Sequence, residues 1–104
     1  MPKFMFIYHG GGTPATPEEG AKAMAAWTSW LDGIGGNLVD GGNPAGMSKT
    51  VTASGVDDNG GANPVSGYSL VNAPDIDAAC KMAKGCPILD GGNGSIEVAE
   101  ALEM

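Results

Sequence analysis

The chain carries a single histidine, His9, only two cysteines, only five lysines and arginines, and no long apolar run. Each shortage closes off a class of function. One histidine and two cysteines make a closed zinc site hard to build, so no metal and no cofactor is expected. Cys80 and Cys86 are not spaced as CxxC, and no secretory signal is read ahead of them. They are expected to be reduced thiols in a cytoplasmic protein. Five basic residues against 12 acidic ones leave a net charge of −7. Such a surface repels phosphate backbones and anionic lipid headgroups, which argues against nucleic-acid and membrane partners. The apolar run Phe4–Tyr8 is shorter than the ~7–15 residues of a signal-peptide core, and nothing approaches the roughly 20 residues of a membrane span.

What is present is the punctuation of one small α+β domain over residues 1–104. Eleven of the 18 glycines cluster at 10–12, 35–36, 41–42, 60–61 and 91–92, and these clusters read as turns between elements. Lys3–Tyr8 alternates Phe4, Phe6 and Tyr8 with Met5 and Ile7, both sets apolar, which predicts a central strand covered on both sides. Thr16, Pro17 and Glu19 make a capping box with proline in the first turn. The helix they open places Met24, Trp27, Leu31 and Ile34 on one face, with Ala23, Ala26 and Trp30 widening it, and ends at Gly33, Gly35 and Gly36. Short strands are expected at 37–40, 49–53 and 65–71, with a loop over 57–64. Asp75 caps a second helix whose stripe is Ile76, Ala79, Cys80 and Ala83. Residues 95–104 alternate as a strand does, yet their Glu, Ala, Leu and Met favour helix, and the local pattern leaves both open.

The order strand, helix, two or three strands, helix, strand is the split βαβ arrangement, a ferredoxin-like fold with an antiparallel sheet. Two helices cover only one face of such a sheet, so the other meets water or a second subunit. The chain resembles the YCII-related family. The resemblance is carried by KFMFIY, by TPEE ahead of a Trp-bearing helix, by NLVDGGNP after it, by NPVSGYSLVNAPDIDAA, and by the closing GSIEVAEALEM. It implies a dimeric α+β barrel, with the last segment a strand, and so a homodimer. Two departures bear on function. The family branch with a TDGPF stretch has it where this chain reads VDDNGGANP, and enzyme-like members carry a histidine in the first helix, where this chain has none. Their proposed His–Asp pair does not carry over. Asp40, near the family's glycine-proline turn, is the half of a site that persists.

His9-Gly10-Gly11-Gly12 is similar to the oxyanion loop of lipases, but the nucleophile elbow GxSxG is absent. His9 remains a candidate for proton transfer, since an imidazole ordinarily titrates near ~6.5. The tetrads Asp40-Gly41-Gly42-Asn43 and Asp90-Gly91-Gly92-Asn93 hold too few oxygen side chains for calcium and read as turns. Trp27 belongs to the core stripe, and Trp30 sits at its edge, where it could line a cavity. With the first strand antiparallel to the strand from Val65 and to the last one, His9 is expected near Ser66 and Ser95. The candidate site is therefore His9 and Asp40 as catalytic groups, with Tyr8, Trp30, Ser66 and Tyr68 around a small, partly polar ligand between subunits. The rival readings are a small lyase or hydrolase-like enzyme, and a dimerisation module with no pocket.

Overall fold

The computed structural model describes residues 1–11 and 15–104. Gly12 of the histidine-glycine loop lies outside them. The elements run β1 (Lys3–Gly10), α1 (Pro17–Ile34), β2 (Leu38–Asp40), β3 (Thr50–Thr52), β4 (Gly55–Asp57), β5 (Val65–Asn72), α2 (Ile76–Ala83) and β6 (Gly94–Glu100). Four strands form an antiparallel sheet in the order β2-β5-β1-β6, the ferredoxin-like order, and both helices lie on one face.

The helix starts follow from local chemistry. Thr16 Oγ1 accepts from the Glu19 amide at 3.1 Å, and the Glu19 carboxylate accepts from the Ala15 amide at 3.0 Å. Asp75 Oδ1 accepts from the Ala78 amide at 2.8 Å. The bonds to Glu19 and Ala78 satisfy amides that a helix start leaves without an intrahelical partner, and the bond from Ala15 ties the residue before the N-cap to the first turn. The last segment is strand β6, because pairing with β1 along its length outweighs a weak helical preference.

The core lies between sheet and helices. Phe4, Phe6, Tyr8, Val71, Ala73, Ala79, Ala83 and Cys86 are buried there. Trp27 meets the Tyr8 ring edge-on at 5.1 Å between centroids, and Trp30 stacks on Phe6 at 6.2 Å. The two indoles set the rotation of α1, and this corrects the expected stripe. Ala23, Trp27, Trp30, Leu31 and Ile34 face inward, whereas Met24 is 70% exposed. On α2, Ala79 and Ala83 are buried, while Ile76 and Cys80 are exposed. Ala79 and Ala83 bring this short helix close to the sheet with Met82 packed at the edge of the core, and that rotation turns Ile76 and Cys80 outward.

Two further expectations are corrected. β1 is covered on one face only: Met5 and Ile7 are half-buried, since both helices lie on the other side. The strand expected at 49–53 is β3, and it pairs not with the main sheet but with β4, of which only Asp57 falls in the loop expected over 57–64. β4 begins at Gly55 with φ +150°, a conformation that lets the chain reverse after two residues. The tetrad at 40–43 is a tight turn. The Asp40 carboxylate accepts from the Gly42 amide at 2.8 Å, and Gly42 has φ +72° with its α-carbon against the Tyr68 carbonyl. A side chain at Gly42 would collide with that carbonyl.

Candidate functional site

Strand alternation assigns the chemistry-bearing residues to opposite faces of the sheet. Tyr8 points to the helices and His9 to the open face. The open face carries Met5, Ile7, His9, Tyr68, Leu70 and Ala99, in rows set by the pairs Met5–Leu70, Ile7–Tyr68 and Met5–Ala99. Most of these side chains are half-buried, and neither helix lies over them, both being packed on the other face.

His9 occupies the end of that face. It pairs with Ser95 on β6 and Val65 on β5, with an irregularity in the β5 register at Tyr8/His9 that leaves Ser66 between paired positions. Glu97 pairs with Ile7, which makes it the diagonal neighbour of His9. Diagonal positions lie about 7–8 Å apart, within reach of long side chains. His9 Nε2 sits 3.1 Å from Glu97 Oε1, and Nδ1 sits 3.2 Å from the Pro64 carbonyl. The imidazole is only 11% exposed, against 69% for Glu97. Both partners are hydrogen-bond acceptors, so the ring satisfies both contacts only when each nitrogen carries a proton. The arrangement sets an anchored imidazole against a water-facing carboxylate. Beside it, the Ser66 hydroxyl oxygen is buried and has no hydrogen-bond partner.

The register places Tyr68, 39% exposed, diagonal to His9 on the same face. The other candidates lie elsewhere. Tyr8 donates to Ser69 Oγ at 2.7 Å, and Ser69 donates to the Gly41 carbonyl at 2.8 Å, beneath α1. Burial pushes the Tyr8 phenol up to about 12, against the lowering effect of the Ser69 bond. Trp30 is also on the helix side, where its indole N–H donates to the Met82 carbonyl at 3.0 Å. Asp40 pairs with Leu70, five positions along β5 from the residue that pairs with His9. At ~3.3 Å per residue that is roughly 17 Å, so within one chain His9 and Asp40 do not meet. Cys86 is buried behind the sheet, and burial raises its thiol to about 11, which makes it a poor nucleophile.

The sequence reading missed Glu97 and the Pro64 carbonyl. Glu97 was within reach of it, because β6 as an antiparallel neighbour of β1 puts Ser95, Glu97 and Ala99 on the face of His9. Two shallow depressions mark the surface. One lies between the helices beside Trp30, Ile34 and Met82, and one at Met47, Asn59, Pro64 and Val65, just behind the carbonyl that holds His9.

No family model matches the chain, and no curated protein matches it. Among solved structures it is similar to 5-chloro-2-hydroxyhydroquinone dehydrochlorinase from Burkholderia phenoliruptrix AC1100, in a complex with 2,5-dihydroxybenzoquinone. The TM-score is 0.54 at 17% identity, over 91% of this chain and 90% of the other. That likeness establishes a shared α+β barrel-type fold across nearly the full length of both.

Proposed function

We propose that this chain is a YCII-related, cytoplasmic homodimer that binds a small, partly polar molecule on the open face of its sheet, between subunits, with His9, Ser66 and Tyr68 in contact with it. The observation that carries the reading is His9 itself. A nearly buried imidazole, braced by a carbonyl and a carboxylate, stands at the margin of a face centred on Met5, Ile7, Leu70 and Ala99, beside a buried hydroxyl that lacks a partner. An apolar surface with a few convergent polar groups is the usual make-up of a small-molecule site. The ligand of the dehydrochlorinase, a flat hydroxylated quinone, is of the same partly polar class. The acidic charge supports a partner other than nucleic acid or membrane, and no helix among the described residues is long and apolar enough to cross a membrane.

A second reading, an enzyme transferring a proton through His9, is favoured by the Glu97 contact. In that case Glu97, not Asp40 of the same chain, is the carboxylate that works with His9. Because His9 is the only histidine, its ring carbons give one set of NMR signals. Titration with 2,5-dihydroxybenzoquinone as probe is expected to move those signals saturably, and to move them less in Ser66→Ala. Unmoved signals with a probe in large excess contradict a ligand site at His9.

A further inference from the structure

The hairpin of β3 and β4 stands apart from the rest of the fold. It joins neither the four-stranded sheet nor the core. Its base is polar and braced: Lys49 pairs with Asp58 at 3.2 Å, and Thr50 Oγ1 donates to the Asn59 carbonyl at 2.8 Å. Its middle is apolar. Val51 is paired directly with Val56, so the two share one face, and they are 76% and 59% exposed. Met47, beside the base, is fully exposed. A lone two-stranded hairpin is marginal in water and gains stability by packing its apolar face on something else.

The dimensions of the molecule point the same way. It is a slab of 43 × 42 × 20 Å, with a radius of gyration of 14.8 Å, against about 13 Å for a compact domain of this length. It exposes 6946 Å², where a compact monomer of 10.4 kDa exposes about 5,400 Å². The excess is larger than the ~800 Å² that each partner buries in a standard interface.

We propose that this hairpin is a docking arm for a second copy of the chain, its Val51–Val56 face packing on the partner's open sheet face. The inference rests on the pairing proposed above and adds the element that grips. A second copy is the occupant because the chain carries both halves of the contact. It has an apolar arm that joins neither the sheet nor the core, and a sheet face of half-buried Met5, Ile7, Leu70 and Ala99 that no helix among the described residues covers. A two-fold axis covers both deficits twice with one surface. The arm returns to the sheet through Pro64, whose carbonyl holds His9, so gripping the arm also fixes one wall of the His9 site.

The test compares the wild-type chain with a Val51→Lys/Val56→Lys variant by sedimentation across a concentration series. It is coupled to thiol alkylation of a Val51→Cys variant, in which exposed Cys80 serves as the internal reference. The expected result is a dimer whose dissociation constant rises about tenfold or more in the double variant. Alkylation at position 51 is expected to slow several-fold as the dimer forms, while Cys80 labels at a constant rate. A wild-type dimer with either quantity unchanged overturns the arm and leaves the pairing intact. A monomeric wild type overturns both.

Discussion

Phe4, Phe6 and Tyr8 are at most 4% exposed, whereas Met5, Ile7 and His9, alternating with them on the same strand, are half-buried. On the helix side the Tyr8 hydroxyl, Ser69 and the Gly41 carbonyl form a continuous chain of hydrogen bonds under two indoles. On the open side Met5, Ile7, Leu70 and Ala99 form an apolar centre, but a hydroxyl is left without a partner and a histidine is braced at the margin. The difference teaches that the two faces answer to different demands. One is finished within the chain and supplies the stability of the fold. The other has the composition of a core without the covering layer, the state expected of a surface completed by something outside the chain.

The largest effect expected on this contrast comes from Phe6→Ala. Phe6 is fully buried against Trp30, so its loss removes transfer energy and leaves a cavity. We expect a loss of about 3–5 kcal/mol in urea unfolding, enough to leave a marginal domain largely unfolded. A loss below ~1 kcal/mol contradicts the assignment of the helix side as the stabilising face.

Alkaline pH gives the next effect. Tyr8 is raised from 10.0 to about 12 and Cys86 from 9.0 to about 11, both chiefly by burial. The unfolded chain therefore releases these protons at lower pH than the folded one. The stability tied to each is whole below its unfolded value, and is lost as pH rises through 9–11 for Cys86 and 10–12 for Tyr8. Each is on the order of 2–3 kcal/mol. Urea midpoints measured from pH 8 upward are expected to fall steeply above pH 9. In Tyr8→Phe the decline above pH 10 is expected to flatten. A midpoint independent of pH up to 11 contradicts the burial of both groups.

Part of this contrast is legible in the sequence and part is not. Features set within a few residues of chain are there to be read: the Thr16 and Asp75 caps, the Asp40–Asn43 turn, and the alternation of β1. Features set by packing are not. Helical spacing puts Met24, Ile76 and Cys80 on apolar faces, but two tryptophans on α1 and two alanines on α2 fix the rotations that expose all three. The strand at 49–53 is readable, but its partner is not, because a hairpin that never joins the sheet leaves no separate pattern. For the site, the end of β1 follows from topology, so His9 falls beside Val65 and Ser95 as strand order requires. Its contact with Glu97, 88 residues away, depends on exact register and on the last segment being a strand. Tyr8 was grouped with His9 by adjacency, and the pleat separates them.

The smallest effect on the fold, and the most direct test of the central claim, is Ile7→Asp at the centre of the open face. Ile7 is paired with Tyr68 and Glu97 and flanked by Met5 and His9 on that face. A charge there replaces a half-buried side chain and faces the Glu97 carboxylate across the strand pair, a cost on the order of 1–2 kcal/mol to the isolated domain, below that of Phe6→Ala. The measurement is sedimentation of wild type and Ile7→Asp at matched concentrations, with thermal unfolding of each alongside. The account expects a wild-type dimer and an Ile7→Asp monomer that remains folded. A monomeric wild type, or an Ile7→Asp chain that pairs as tightly as wild type, contradicts the claim that the open face is completed by a second copy.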